Sequence, residues 1–220
     1  MILESEMVER SVCFEQRRFF ASSLVCLVLL VLSALRLASG QQSQEAKTIV
    51  SDRSLTTEQL AIYKTMLASW FEGEKISGNL AIQTEPLDIK ADYWDSSCFK
   101  GLLLENISPG IVHRFRAEDL DSLGSGALRL VDPEDQSKVI HEHDPGNAIR
   151  DGKPVDDAVE DGFSHGLLTL SEIRFDKTHT HALVQFSFRC GMLCGHATPM
   201  LLEKKNGIWK RKAMCGGYVS

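Results

Sequence analysis

The 220-residue chain has no surplus of positive charge: Lys and Arg total 24 against 30 Asp and Glu, a formal charge of −6. An acidic balance gives no phosphate-tracking surface, so nucleic acid is excluded as the expected partner. Also missing are His-Glu-x-x-His, Gly-x-Ser-x-Gly and any phosphate-binding loop, so no signature of metalloprotease, serine hydrolase or nucleotide chemistry is present. There is no internal repeat and no low-complexity tract. With 43% hydrophobic and 25% charged residues, the composition is that of a globular domain, and the length suits one domain with an appendage.

The one long apolar run is Phe19 to Ala34, preceded by Arg17 and Arg18 and followed by Leu37-Ala38-Ser39-Gly40. A basic flank, an apolar core and small residues at −3 and −1 are the parts of a cleavable leader, with the cut after Gly40. Glu4, Glu6, Glu9 and Glu15 make the amino-terminal region unusual for a leader, and the run reaches the roughly 17-residue minimum for a spanning helix. Two outcomes follow: a signal peptide over 1–40, or an uncleaved membrane anchor, with membrane contact only through residues 19–35. Both place residues 41–220 outside the cytoplasm, in a periplasmic or extracellular space, anchored to the inner membrane in the second case. Residues 1–40 hold four basic and four acidic residues, so the acidity belongs to the exported part.

Export decides how cysteine is read. Cys13 and Cys26 fall in the leader, which leaves Cys98, Cys190, Cys194 and Cys215. An even number in an oxidising space predicts two disulfides, with three pairings open. Within the exported part, residues 41–53 read as a polar tether and 54–220 as a single α+β domain. The spacing of Leu60, Tyr63, Leu67, Trp70 and Phe71 behind a Ser54-Leu55-Thr56-Thr57-Glu58 cap predicts an amphipathic helix over 57–72. Asn79–Thr84 reads as a strand, Asp95–Glu105 as helical, Ala117–Leu120 as a helical turn, and Leu128–Val131 and Lys138–His141 as short strands. Residues 144–166, with Pro145, Pro154 and four glycines, read as a loop-rich hinge or lid. The last 54 residues hold four strand-like runs, Leu167–Phe175, Ala182–Cys190, Ala197–Lys205 and Ile208–Val219. Ala182, Val184, Phe186 and Phe188 alternate with Leu183, Gln185, Ser187 and Arg189, the period of a strand with one face on a core. Asn206-Gly207 predicts a type I′ hairpin. The expected fold is α+β, the helix packed on a carboxyl-terminal antiparallel meander.

Ser171, Phe175, Asp176, Ala182-Leu183-Val184, Cys190-Gly191, Leu193-Cys194-Gly195, Leu202, Lys204, Gly207, Trp209 and Ser220 form a phrase. It resembles the carboxyl-terminal phrase of a family of uncharacterised bacterial exported proteins, over about 50 residues. The resemblance implies fold and export and adds no reaction. His196 stands where that phrase has a small residue, so a role for it is not implied.

Chemistry concentrates at Cys190-Gly-Met-Leu-Cys194. In a straight strand residues four apart stand about 13 Å apart, whereas a disulfide needs Cα atoms within about 7 Å. A local bridge therefore requires the chain to fold back at Gly191 and Gly195; the other pairings join each cysteine to Cys98 or Cys215. The rival is a Cu or Zn site built from Cys190, Cys194 and His196 with His179 and His181, soft thiolate and imidazole ligands. Those two histidines start the strand that Cys190 ends, so a neighbouring strand would have to bring the ligands together. A redox pair is disfavoured because such pairs open helices, where the thiolate is stabilised. Asp151, Asp156, Asp157, Glu160 and Asp161 lack EF-hand spacing and read as solvated; Lys204, Lys205, Lys210, Arg211 and Lys212 read as a hairpin blunted against edge pairing. The sequence points to a binding or structural module stapled by disulfides, no catalytic residue assigned and no cofactor, with a metal-binding protein or metal-dependent enzyme as the alternative.

Overall fold

The computed structural model describes residues 49–51, 53–71, 78–106, 110–124 and 128–220. The leader or anchor expected over 1–40 lies outside the described residues, as does most of the tether. Among the described residues no helix is long and apolar enough to cross a membrane.

The chain runs β1 (Ile49–Ser51), α1 (Thr57–Phe71), β2 (Asn79–Ala81), a 3-10 turn (Ser96–Phe99), β3 (Ile111–His113), α2 (Ala117–Leu123), β4 (Arg129–Val131), α3 (Pro133–Glu142), α4 (Pro145–Arg150), α5 (Val155–His165), β5 (Leu167–Leu170), β6 (Arg174–Phe175), β7 (His181–Gly191), β8 (Cys194–Lys205), β9 (Ile208–Met214) and β10 (Tyr218–Val219). Helices and strands occur together, and the main sheet is mixed. Its order is β10-β8-β7-β5-β2-β4, with β6 on β7 and β9 on β8. The pairs β5–β7, β7–β8 and β8–β9 are antiparallel, while β2 runs parallel to both β4 and β5. A separate two-stranded sheet pairs β1 with β3 in parallel.

Thr56 and Gln59 start α1: the Gln59 amide donates to Thr56 Oγ1 (3.2 Å) and the Thr56 amide to Gln59 Oε1 (2.9 Å). That reciprocal pair satisfies two amides the helix leaves unpaired. The helix buries Ile62, Tyr63, Met66 and Leu67 against Ala182, Val184, Phe186, Met200 and Leu202 from one face of the sheet. Alternation sends Leu183 and Leu201 to the opposite face, where Leu87, Trp94 and Cys215 cover them.

Four local expectations are corrected. Lys138–His141 belong to α3, not to a strand, because Asp132 caps it, accepting from the amides of Glu134 (2.9 Å) and Asp135 (3.3 Å), with Pro133 in the first turn. The expected loop at 144–166 holds α4 and α5. Pro145 follows the capping Asp144 and Pro154 is the cap of α5; proline entering a helix was read as proline breaking one. Asp95–Glu105 contains only the 3-10 turn, capped by Asp95. Residues 49–51, placed in the tether, form β1.

Candidate functional site

Cys190 and Cys194 are bonded to each other, with Cα atoms 5.1 Å apart. The fold-back comes from the β7–β8 reversal: Gly191 pairs with Cys194, Met192 and Leu193 form the turn, and the register shifts between Arg189 and Gly191. A bulge of this kind bends the strand and brings the two sulfurs together. Cys98 pairs with Cys215 across 117 residues, Cα–Cα 5.4 Å, tying the 3-10 turn to the segment after β9. Among the three open pairings, the structure takes the local one.

The stapled tip is held from the side by Asp144. This buried carboxylate caps α4 through the Asn147 amide (3.1 Å) and accepts the Met192 amide at 2.6 Å. Burial would raise its pKa, but the amides of Met192, Asn147 and Gly146 outweigh that and hold it below the ordinary carboxylate value. The approach is close enough to require glycine: a Cβ on Gly191 would lie 2.7 Å from Asp144 Oδ2 and 2.9 Å from Pro145 Cδ, and one on Gly162 in α5 would lie 2.5 Å from Pro145 Cγ.

Two concavities flank this contact. One, of about 410 Å³, is lined by Ile149, Phe163, Phe188, Leu193, His196 and Val219 with their neighbours. The other, of about 320 Å³, is lined by Ser137, His141, Arg189 and Met192 among others. Between them Met192 and Leu193 are 84% and 81% exposed. Two large apolar side chains are thus held in water on a covalently closed turn, beside a groove with an apolar lining.

The residues of the expected copper or zinc site do not come together as ligands. The two sulfurs are bonded to each other, and His196 packs on the rings of Phe186 (5.7 Å) and Phe188 (6.1 Å). His179 and His181 sit at the other end of β7, roughly 30 Å away at 3.3 Å per residue. His179 stacks on Phe175 at 4.5 Å and faces Glu58 (3.5 Å) and Glu105 (3.2 Å); His181 faces Asp176 (3.6 Å), Glu203 (3.7 Å) and Lys212. Asp176 organises that turn, accepting from the amides of Thr180 and His181 and from the hydroxyl of Thr178. Of the basic hairpin, Lys204 pairs with Glu58 and Lys205 with Glu203, each at 2.6 Å.

Two clusters escaped the sequence reading. Glu172, buried between β5 and β6, accepts from Thr84 Oγ1, from the His113 amide (2.8 Å) and from His113 Nδ1 (2.9 Å). Beside it the buried Tyr63 hydroxyl donates to the Ser171 carbonyl at 2.8 Å; burial, then the Glu172 charge, push that phenol up. The node joins the segments after β2 and β5 to the last residue of β3 and explains how buried polar groups there are satisfied. The second cluster is His143, Asp161 and His165, the one group of three potential metal-ligating side chains among the described residues, with one ligand atom of each within 4.8 Å of the others. Lys153 Nζ lies 2.9 Å from Asp161 Oδ2; this ammonium first, and His143 second, hold the Asp161 carboxyl below its ordinary value. Of the acidic run 151–161, Asp156 and Asp157 occupy the first turn of α5, where the helix dipole favours negative charge.

Comparison of the chain with protein-family models, with curated proteins and with solved structures returns no match.

Proposed function

We propose that the protein is an exported or membrane-tethered binding module, residues 49–220 holding the folded unit and the Cys190–Cys194 tip its recognition element. The partner is a protein that receives Met192 and Leu193 and offers apolar side chains to the adjoining groove. The observation that carries this reading is the exposure of those two residues on a turn fixed by both a disulfide and Asp144. A rigid turn loses little conformational freedom on binding, so burying its side chains yields net affinity. At about 1.5 to 3 kcal/mol per side chain, the two supply about 3 to 6 kcal/mol before the cost of association, which suits a transient complex and makes the groove a necessary second contact.

Two disulfides are compatible with an oxidising compartment and support export, as does the leader-like sequence. Within the proposed module α1 serves as the amphipathic layer over the carboxyl-terminal strands, the arrangement its apolar spacing predicts; the resemblance to uncharacterised bacterial exported proteins bears on those strands and on export. Amino-terminal sequencing of protein recovered from outside the cytoplasm tests the compartment: Gln41 first supports cleavage, an intact terminus in membranes supports the anchor, and soluble full-length protein in the cytoplasm refutes both.

The binding reading is tested with a photo-crosslinking residue at 193 and, as control, at 208, where Ile208 is 62% exposed on the hairpin at the other end of β8. Expressed in the source cell, the 193 variant should give discrete adducts that the 208 variant does not, and Phe163→Ser in the groove should abolish them. Equal labelling at both positions, or none, would refute the tip as the recognition element.

A further inference from the structure

We propose that His143, Asp161 and His165 form a binding site for a first-row divalent metal ion, zinc being the representative. The site is separate from the cysteines and from the stapled tip, and does not depend on the binding reading. His143 is the residue that ends α3; Asp161 and His165 stand four apart in α5, so their side chains share one face of that helix. Fold and local spacing together bring one ligand atom from each within 4.8 Å of the others.

The donor set selects the ion class. Calcium and magnesium take oxygen ligands, whereas two imidazoles with one carboxylate are a set used for zinc with three protein ligands, leaving a fourth position open. The three side chains are 34%, 30% and 32% exposed, which gives an ion direct entry from solvent. His165 also carries the supporting contact common to metal-binding histidines: its Nδ1 donates to the Asp161 carbonyl at 2.9 Å, leaving the lone pair on Nε2. The position already attracts positive charge, since the Lys153 ammonium occupies the carboxylate's side at 2.9 Å. Lys153 is thus the competitor an entering ion displaces.

One rearrangement is required. The two imidazoles are stacked, centroids 3.6 Å apart and planes 8° from parallel. An imidazole nitrogen binds metal in its own ring plane, and two nearly parallel planes at that spacing share no point near Asp161. One ring must therefore turn about its Cβ–Cγ bond, a torsion with a broad profile. His143 is the ring that turns, because among the described residues its Nδ1 has one hydrogen-bond contact, Asp161 Oδ2 at 3.2 Å, whereas His165 Nδ1 has two, the Asp161 carbonyl at 2.9 Å and Ser164 Oγ at 3.0 Å.

The test uses the non-reduced protein, in which the cysteines are bonded, titrated with zinc chloride by calorimetry and with cobalt(II) by visible absorption. Wild type should take up one equivalent, and cobalt should give the intense band of a four-coordinate site. His143→Ala and His165→Ala should each weaken binding by more than the roughly 10–100-fold that loss of an outer-shell partner costs, with the unfolding midpoint measured to show that both variants fold. Lys153→Gln removes the competing charge and should tighten binding, a result that a structural role for the cluster would not produce. His179→Ala/His181→Ala should change nothing. Absence of saturable binding in both wild type and Lys153→Gln would overturn the proposal, and so would binding that survives in His143→Ala and His165→Ala.

Discussion

Asp144→Ala is the substitution that most directly probes how the tip is held. It removes the cap of α4, worth about 1 kcal/mol, and the charge-assisted acceptor of the Met192 amide, worth about 1.5 to 3 kcal/mol when buried. Met192 itself is exposed, so water can take over part of the second bond, and a total loss of about 2 to 3 kcal/mol is expected, roughly 5 to 10 °C in Tm for a domain of this size. Asp144→Asn keeps a good capping side chain and an acceptor oxygen, and should lose about 1 kcal/mol. Urea unfolding at pH 7 measures both, and exchange of the Met192 amide separates a local from a global effect: it should quicken by more than the change in global stability accounts for. The pH dependence has a definite sign. Because the folded carboxyl is held below its ordinary value, its contribution is complete above the unfolded value of about 3.9 and is lost as pH falls through the lower folded value. The gap between wild type and Asp144→Asn should therefore close below about pH 4. An Asp144→Ala protein within about 0.5 kcal/mol of wild type, in the range of a neutral surface change, would show that the disulfide alone holds the tip.

The two disulfides should differ in weight: on loop-closure entropy, the Cys98–Cys215 bond spanning 117 residues contributes about 5 kcal/mol and the Cys190–Cys194 bond about 2 kcal/mol. Paired Cys→Ala variants compared by urea unfolding check this, and equal losses would contradict it. Gly162→Ala, ordinarily favourable in a helix by about 1 kcal/mol, should instead destabilise by about 1 to 3 kcal/mol, because its Cβ would strike Pro145 at 2.5 Å; a raised melting temperature would refute that contact. Gly207→Val should cost about 1 to 3 kcal/mol through backbone strain alone, since φ is +78° and nothing stands within 4 Å of its Cβ, and an unchanged midpoint would mean the turn does not need positive φ.

The parts of the fold that were legible are those where one physical requirement acts over a few adjacent residues. Ala182, Val184, Phe186 and Phe188 alternate because their face of β7 is buried along its length, all four being 4% exposed or less, whereas the other face is covered at Leu183 and left partly open at Gln185, Ser187 and Arg189. Asn206 and Gly207 both have positive φ, 54° and 78°, as the type I′ reading of that dipeptide requires. Where one residue type serves opposite ends, the reading failed. Proline interrupts helices, yet aspartate before proline, as at Asp132-Pro133 and Asp144-Pro145, also makes a helix start: the carboxylate takes the free amides, and proline has no amide to leave unpaired. Parallel pairing was illegible for another reason. β2, β4 and β5 are three or four residues long, too short to show a period, and helices separate them in the chain.

The candidate sites fall on the same divide, set by sequence separation. Cys190 and Cys194 were visible as a pair because both lie on one turn, and only the pairing remained open; the bulge between Arg189 and Gly191 decides it locally. The Glu172 node joins residues 59 and 88 positions apart, and nothing near Glu172 in the chain marks it as the acceptor for His113 and Thr84. His143, Asp161 and His165 are an intermediate case. Asp161 and His165 carry a local signal, a carboxylate and an imidazole one helical turn apart, but it has meaning only on a helix, and residues 144–166 were read as loop. Once Pro154 is seen as the cap of α5, the pair lies on one face. His143 then follows, because α3 ends beside that face and the chain turns at Asp144 into the residues that hold the tip. Two helix-starting prolines thus hid the two features: Pro154 the histidine cluster, and Pro145 the carboxylate that positions Met192.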